Sequence, residues 1–356
     1  MDKVKKLIND IKTPLLSIFF SFLVGATLII FSGKNPIEAY AALFRGAFGS
    51  PAALSQTLNK SISLIFTGLA VSIAYQCKSL NIGGEGQLVF GAFGASLAGI
   101  FIKGLPAVIH IIVVLAVGFA FGAIWALIPA ILKIKKDVNT VISTIMMNYV
   151  SFSVVSFMIN TFFKASKSDF VTMEQVLDTA RLPYIQFSTF RINSGLVLAI
   201  IAAIVLYIFL NKTVSGYEIN AVGLNPVSSN ISGINYKKNV LISLLISGGL
   251  AGLAGATDLM GSMGKLYDGY NPGYGFDGIP IALLAKGNPI VIIFTSLLFS
   301  VLRVGSITMQ TSVGVSRTIV DAMQGVIILF IAAEYIIVLV VEAIKKKKAG
   351  DKLWFL

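Results

Sequence analysis

The chain has 356 residues, of which 56% are hydrophobic and only 12% are charged. Together with a mean hydropathy of +0.86, this composition excludes an ordinary soluble domain and predicts a polytopic membrane protein. The net charge of +12 would by itself suggest nucleic acid, but the basic residues form short clusters beside apolar runs, where they usually mark the cytoplasmic side and anionic lipid head groups. We therefore expect membrane lipids as partners and no nucleic acid. The clusters are Lys3, Lys5, Lys6 and Lys12; Lys133, Lys135 and Lys136; and Lys345 to Lys348.

Few side chains are available for catalysis or metal binding. The one cysteine, Cys77, excludes an intramolecular disulfide and any multi-cysteine metal site. His110 stands alone in an apolar run, which favours a packed or pore-facing imidazole over a metal ligand. No G-x-x-x-x-G-K-S/T loop occurs, so the chain cannot cradle the phosphates of ATP. We expect no metal, no cofactor and no catalytic residue, and a separate polypeptide as the motor of any ATP-driven process.

Apolar runs of about the 20 residues that a membrane crossing needs follow one another along most of the chain. The first has no small-residue cleavage site and is expected to be a retained span. Basic residues place both termini in the cytoplasm, which requires an even number of crossings, so we count the short run 276–285 as one of them. The ten predicted crossings are 15–31, 58–75, 79–101, 105–132, 138–163, 194–210, 239–260, 276–285, 289–304 and 319–341.

The predicted fold is all-α and polytopic, with about ten transmembrane helices, some of them short or broken. Glycine-rich breaks occur at 81–94 and 269–278. Because five is odd, two halves of five helices would enter the membrane from opposite faces, and paired breaks at matching places indicate a translocation site. No residue-level identity relates the halves, so the inverted repeat is a conjecture. We expect a single transmembrane domain over residues 1–356.

Two polar loops are long enough to fold. The loop 164–191 is predicted to be external and to cover the mouth of the bundle, and a short amphipathic helix is predicted at 36–48. The loop 212–238 is predicted to be cytoplasmic because Lys212, Lys237 and Lys238 flank it. Its glycines and its Asn-Pro pair divide it into two short segments, each long enough for about two helical turns. An ordinary solvated connection is the alternative interpretation.

The motif NIGGEGQ, residues 81–87, is the sharpest candidate for a solute pathway. Glu85 in a glycine-rich dip at membrane depth is costly unless it is solvated or paired, and Asn81 and Gln87 offer donors and acceptors to a hydroxylated solute. The alternative is that Glu85 caps a helix start and never contacts solute. Asp277 is predicted to cap a short helix near the pore mouth, and Arg303 is the available counter-charge for the acids at the ends of apolar runs. The full predicted set is Asn81, Glu85, Gln87, Asp258, Tyr274, Phe276 and Asp277.

Several stretches together resemble the permease subunits of nucleoside and simple-sugar ABC importers, within the branched-chain amino acid and ribose-type permease superfamily. The run GYEINAVGLNP at 216–226, followed by SGIN at 232–235, resembles their cytoplasmic coupling loop. NIGGEGQ, GYGFDGIPIALLAKGNP at 273–289 and LRVGS at 302–306 resemble further family motifs. The resemblance covers roughly residues 60–340 of the chain.

The resemblance implies a plasma-membrane permease that imports nucleosides, with simple sugars as the closest alternative. It implies three kinds of partner: an ATPase subunit, single or duplicated, a second homologous permease, and an external substrate-binding lipoprotein. The family usually carries a basic residue at the position of Asn220 and alanines at Ser228 and Ser229, so no charged contact is carried over there. The coupling residues that the resemblance implies are Gly216, Tyr217, Ala221, Gly223, Asn225, Pro226 and Gly233.

Two other classes of function remain open at this point. In a secondary transporter, Glu85 or Asp258 would carry a proton. In an intramembrane enzyme, Asp268 and Asp277 would be the catalytic pair, but both belong to one loop. A serine hydrolase would depend on His110 with no nucleophile elbow. The aromatic residues around 267–276 suit either base stacking or anchoring at the membrane interface.

Overall fold

The computed structural model describes residues 2–166, 169–187 and 189–330, with side chains from residue 16 onward. The basic cluster Lys345 to Lys348 and the second half of the predicted crossing 319–341 lie outside these residues. The described chain forms two compact units, one made of residues 2–43 with residues 305–330 and the other of Phe44–Val304. The expectation of a single domain over 1–356 stays a prediction.

Helices make up most of the described chain. The long ones are α1 (Asp2–Phe31), α3 (Pro51–Gln76), α4 (Gly84–Phe101), α5 (Ala107–Lys136), α6 (Thr140–Met158), α7 (Gly195–Lys212), α10 (Tyr236–Asp258) and α12 (Pro289–Val313). The short ones are α2 (Pro36–Phe48), α8 (Val214–Leu224), α9 (Pro226–Ile231), α11 (Tyr274–Leu284) and α13 (Thr318–Phe330). One π-helical turn extends α6 over Ile159–Phe163, and another extends α10 over Leu259–Met263.

Within the described residues, six helices are long and apolar enough to cross a membrane: α3, α5, α6, α7, α10 and α12. A seventh span results if α1 and α2, which bend by 119° at their junction, count as one. Each of the ten predicted crossings overlaps a helix in the described residues, because α1, α4, α11 and α13 lie at the four remaining positions, and the last crossing is described only as far as Phe330. The 11 residues of α11 extend only about 16 Å, so this helix cannot cross the membrane alone. The prediction of an all-α polytopic membrane fold with short and broken helices is confirmed.

The unit 44–304 is built around α10, which packs against α3, α4 and α5. Glycines face each other where these helices cross. A Cβ added to Gly91 would lie 2.3 Å from the Cα of Gly252, and one added to Gly122 would lie 2.2 Å from the carbonyl oxygen of Gly248. Small residues therefore let the helix backbones touch.

The loops predicted on opposite sides of the membrane contact opposite ends of α3. In the loop 164–191, the Arg191 amide donates to Ser55 Oγ (2.7 Å), near the start of α3. In the loop 212–238, a Cβ on Gly223 would lie 1.8 Å from the carbonyl oxygen of Gln76, at the end of α3. The 26 residues of α3 span about 39 Å, so the two loops are separated by the thickness of a membrane.

The loop 164–191 folds over one end of the bundle. Its Met173 amide donates to Leu266 O (2.8 Å) and its Leu177 amide donates to Gly99 O (2.9 Å), at the end of α4. Two short antiparallel strands, Tyr184–Phe187 and Phe190–Asn193, lead from it into α7. The sequence predicts a polar loop here, but it does not predict the hairpin.

The other compact unit is held by α1 and α13. The Ser21 hydroxyl donates to the carbonyl of Met323 (2.8 Å), and the rings of Phe20 and Phe330 stack with centroids 4.9 Å apart. Because the Ser21 hydroxyl donates to a backbone carbonyl, it is not left as an unpaired polar group inside the membrane.

The glycine contacts of α10 give a first testable prediction. Replacing Gly252 with leucine would force atoms into the backbone of α5, because even a Cβ lies 2.3 Å from Gly118 O. We expect a loss of about 1–3 kcal/mol, measured as a lower Tm of the detergent-solubilised protein. The control is Gly325→Ala, where a Cβ meets nothing within 4 Å. An unchanged Tm in the Gly252 variant would contradict the packing described.

Candidate functional site

The two glycine-rich breaks predicted from the sequence contact each other. The Glu85 carboxylate at the start of α4 accepts the amide protons of Gly273 (2.7 Å) and Gly275 (2.5 Å), at the start of α11. Gly273 adopts a positive φ of 79°, and a Cβ on Gly275 would lie 2.2 Å from the Glu85 nitrogen. Glycine is therefore required at Gly275 for the two helix starts to meet.

Glu85 caps the helix that begins across the junction, and not its own. The first amides of a helix have no intrahelical acceptor and carry partial positive charge, which a carboxylate satisfies. Glu85 is fully buried, and each of its oxygens has a backbone donor. This geometry matches the capping alternative considered for Glu85. Its role in solute transport stays a prediction.

Asn81 and Gln87 form a closed network beside this junction. The Asn81 amide group donates to Gln87 Oε1 (2.7 Å) and Ser247 Oγ (2.9 Å), and its oxygen accepts from Gln87 Nε2 (3.2 Å) and the Gly83 amide (2.9 Å). Ser247, at the centre of α10, in turn donates to Ala70 O (2.6 Å). The network joins the break before α4 to α10 and α3 at mid-depth. Ser247 was not predicted, because a serine within an apolar helix carries no pattern of its own.

Asn148 of α6 completes the support of the break. Its side chain accepts from the Gly86 amide (2.8 Å) and donates to Ile82 O (3.1 Å). Thr144 accepts from the Ile82 amide (3.2 Å), and Ser151 donates to Gly86 O (2.7 Å). The Ile82 amide and carbonyl and the Gly86 amide, which the break leaves without helical partners, are thus paired with side chains of α6, as a membrane interior requires.

A second cluster of charged and phenolic groups surrounds Tyr274. Lys60 Nζ donates to the Tyr274 hydroxyl (2.6 Å), and the Arg303 guanidinium lies 4.6 Å from the centroid of the Tyr274 ring. Asp258, buried at the end of α10, accepts from the Tyr270 hydroxyl (2.8 Å). Lys60 was not among the predicted residues, because a lysine in the first half of an otherwise apolar run is typical of the boundary of a membrane span.

Arg303 holds α11 from the side of α12. It forms an ion pair with Asp277 in the first turn of α11 and also donates to the carbonyl of Pro272. The start of α11 is therefore fixed by a carboxylate from α4 and a guanidinium from α12. Phe276, next to Asp277 in the chain, is 42% exposed.

The loop 212–238 contains the two short helices α8 and α9. Asn225 separates them and caps α9, accepting from the amides of Val227 (3.0 Å) and Ser228 (3.0 Å), and Pro226 occupies the first helical position. Gly233 ends α9 with a φ of 82°. This end of the bundle is therefore a folded element, and its role as a coupling loop stays a prediction.

One face of α8 packs against the end of α7 and the start of α10. A Cβ on Gly216 would lie 2.0 Å from Phe209 O. The side-chain amide of Asn220 donates to Leu210 O (3.2 Å), a carbonyl of the last turn of α7. The side-chain amide of Asn239, at the start of α10, donates to the Glu218 carboxylate (3.1 Å). Asn220 thus serves as a link to α7 at the position where the resembled family has a basic residue.

The opposite face of α8 and α9 is apolar and exposed. Tyr217, Leu224 and Ile231 are 68%, 81% and 83% exposed, while Ala221 lies half-buried between the first two. We call this set the α8–α9 face; its large members are Val214, Tyr217, Leu224, Val227 and Ile231. An exposed apolar patch on a folded, capped element is typical of a protein interface.

His110 has a structural environment. It is fully buried, with Nδ1 2.8 Å from Thr179 Oγ1 and Nε2 3.3 Å from Ala98 O, so it joins the loop 164–191 to α4 and α5.

Within the described residues, no group of three His, Cys, Asp or Glu side chains is arranged to hold a metal ion. Hydrogen bonds from Ser156 and Asn160 hold the pKa of Asp268 below its usual value, so this loop acid is ionised at neutral pH.

Sequence comparisons agree with the structural description. The profile of the family described as branched-chain amino acid transport system/permease component matches residues 53–332. The guanosine ABC transporter permease protein NupP of Bacillus subtilis is 34% identical over 97% of this chain and 99% of its own length. The nucleoside ABC transporter permease protein NupB of Lactococcus lactis is 35% identical over 96% of both chains. The glucose ABC transporter permease protein TsgB13 of Haloferax volcanii is 30% identical over 90% of this chain and 86% of its own length.

The contact between Glu85 and α11 gives a second prediction. In Glu85→Gln, one of the two acceptors becomes an NH₂ group that faces a backbone N–H, which leaves a buried donor unpaired at a cost of about 1–3 kcal/mol. We expect a lower Tm in detergent. The matched control is Glu218→Gln, since a glutamine oxygen can still accept from Asn239. Equal Tm values for the two variants would contradict a capping role for Glu85.

Proposed function

Because this chain belongs to the branched-chain amino acid transport system permease family, we propose that it is the membrane subunit of an ABC importer that carries nucleosides. The chain is a multi-pass plasma-membrane permease and not an enzyme itself, and an ABC permease works with a separate ATPase and a substrate-binding protein. The observation that carries the nucleoside assignment is similarity along almost the whole chain to permeases named for guanosine and nucleosides. The family resemblance also supports a second homologous permease as partner, an ATPase that is single or duplicated, and an external lipoprotein that delivers the solute.

The proposed attachment point for the ATPase is the α8–α9 face. Its exposed side chains are apolar, whereas its buried side contacts the ends of α3, α7 and α10 through Gly223, Asn220 and Glu218. A movement of the ATPase would therefore displace three membrane helices together. Gly216, Gly223, Asn225, Pro226 and Gly233 shape this element, and Tyr217 and Ala221 belong to the side that faces the partner.

The orientation proposed for the chain follows from this assignment. The loop 212–238 is cytoplasmic and the loop 164–191 is external, in agreement with their positions at opposite ends of α3. Both termini are cytoplasmic, as the basic clusters of the sequence favour.

The proposed solute pathway passes the junction of α4 and α11. In the structure described, Asn81, Glu85 and Gln87 are bonded to other protein groups. Transport would then exchange part of these internal hydrogen bonds for bonds to ribose hydroxyls. The cluster of Asp258, Tyr274 and Asp277 lies on the side of the loop 264–273, where the exposed rings of Tyr267 and Phe276 are available to stack on a base.

A simple sugar is the second candidate solute. It is favoured by the 30% identity to a glucose permease over 90% of this chain. The exposed aromatic rings favour the nucleoside, because a monosaccharide offers hydroxyls but no aromatic base.

The solute assignment predicts ATP-dependent uptake of nucleosides. Cells that express the permease with its ATPase, partner permease and binding protein should accumulate radiolabelled guanosine, and unlabelled adenosine should compete at micromolar concentration, whereas glucose should not. A catalytically dead ATPase is the control that separates this protein from an ion-coupled transporter. Competition by glucose alone would favour the sugar, and uptake that persists with the dead ATPase would contradict an ABC importer.

The docking assignment predicts the effect of one charge on the α8–α9 face. Leu224→Asp places a carboxylate on an exposed residue, so the permease should fold normally, but desolvating that charge at the interface should weaken ATPase binding at least about ten-fold, or about 1.4 kcal/mol. The measurement is the amount of ATPase that co-purifies with the permease. Phe170→Asp, which is 80% exposed in the loop at the other end of the bundle, is the matched control. Normal co-purification of the Leu224 variant would place the ATPase elsewhere.

A further inference from the structure

A cleft between α5 and α7 is separate from the candidate solute pathway. Helix α5 packs mainly on α4 and α10, whereas α7 packs on α3, so the facing sides of α5 and α7 remain apart. This cleft and its extension towards the loop 164–191 contain two cavities, of about 640 and 620 Å³. The first is lined by α5, the loop 164–191 and the π-helical turn after α10, and the second by α3, α5, α7 and α10. The first lies at the end that carries the loop 164–191, and the second lies deeper in the membrane-spanning region.

The deeper cavity is lined by apolar side chains of membrane-spanning helices. Leu115 and Phe119 of α5 form one wall, Leu198 and Val205 of α7 form the other, and Leu250 and Leu253 of α10 form the back. It has no charged or hydrogen-bonding side chain in its lining. Such a cavity has no group to bind a nucleoside or a sugar, and it is suited to a hydrocarbon chain.

The cavity at the loop end carries charged side chains in addition to apolar ones. It is lined by Arg181, Arg191, Tyr184 and Asp178, and both guanidinium groups belong to exposed residues. Arg191 lies over the Tyr184 ring, 3.8 Å from its centroid. Two arginines and one aspartate give a net charge of +1, which complements the single negative charge of a phosphodiester. Arginine is also the side chain with the best geometry for phosphate oxygens.

The two cavities follow one another along one side of α5. Val108 and Ile111 line the basic cavity, and Leu115 and Phe119 line the apolar one, at spacings of three and four residues that place them on one helix face. The distance from Val108 to Phe119 along the helix is about 16 Å. That length is close to half of the hydrocarbon core of about 30 Å, which is the depth of one leaflet.

We propose that this cleft binds one membrane phospholipid, with its phosphate at Arg181 and Arg191 and an acyl chain between α5 and α7. The order of the cavities matches the order of the parts of a phospholipid, since the basic cavity is at the membrane surface and the apolar cavity is inside. Asp178 beside the arginines is positioned to accept hydrogen bonds from a glycerol or ethanolamine head group. The proposal concerns a resident lipid and does not depend on which solute is carried.

The test is the retention of lipid by the purified transporter complex. Native mass spectrometry of the delipidated complex, titrated with dioleoyl phosphatidylglycerol, should show one high-affinity lipid for each copy of this chain. Arg181→Gln combined with Arg191→Gln should raise the apparent Kd at least ten-fold. The hydrogen bonds that Arg191 makes to Ser55 and Asn59 use its backbone, so these substitutions leave them in place.

A second variant tests the acyl part of the site. Ala202→Trp fills the apolar cavity from α7 and should lower lipid retention by a similar factor with the arginines intact. Arg45→Gln is the matched control, because Arg45 is exposed but does not line the cleft, and it should bind lipid as the unmodified chain does. A monodisperse elution profile and an unchanged Tm show that each variant is folded.

Three results would overturn the proposal. Equal lipid affinity in the arginine variant and the unmodified chain would show that the guanidinium groups do not hold the phosphate. Displacement of the lipid by millimolar inorganic phosphate alone would show a free-anion site with no contribution from the acyl chain. Binding by the isolated chain that is lost in the complete complex would show that a partner subunit, and not a lipid, covers the cleft.

Discussion

The contact between the Glu85 carboxylate and the first amides of α11 is the interaction on which the arrangement of the site depends. In a membrane interior, a helix that starts at mid-depth exposes N–H groups that no water can satisfy. Glu85 supplies both acceptors from a neighbouring helix that is itself interrupted. The two breaks are therefore stable because they are adjacent, and α4 and α11 form one structural unit. Any movement that separates them must provide new partners for these amides.

Glycine makes this arrangement sterically feasible. Gly275 allows the starts of α4 and α11 to touch, and Gly278 brings α11 against the backbone of Thr67 in α3, where a Cβ would lie 2.8 Å from a carbonyl carbon. The same residue type lets α10 pack against α4 and α5. The high glycine content of the chain thus serves close packing of backbones, which supplies van der Waals contacts where the hydrophobic effect contributes little.

Helix α3 connects the parts of the molecule that transport would have to coordinate. Its start bonds the loop 164–191, and its end contacts α8 through Gln76. Between these contacts, Ser72 and Gln76 both donate to the carbonyl of Gly287, just after α11 (2.7 and 3.2 Å). A displacement of α8 can therefore reach the end of α11 through a few residues of α3. This continuity is spatial, and it identifies α3 as the element whose motion is most informative to follow.

The sequence by itself determined the fold class, the positions of the long apolar helices and the locations of the two breaks and two folded loops. These features follow from local patterns: apolar length, glycine content and the punctuation around Asn225 and Pro226. Only the tertiary structure decided the partners of the polar residues. Whether Glu85 caps α4, caps α11 or faces solute depends on which backbone lies within hydrogen-bonding distance, and that backbone is more than 180 residues away in sequence. The same holds for Ser247, Asn148 and Lys60, which have no local signature, because their roles arise from long-range packing and not from periodicity.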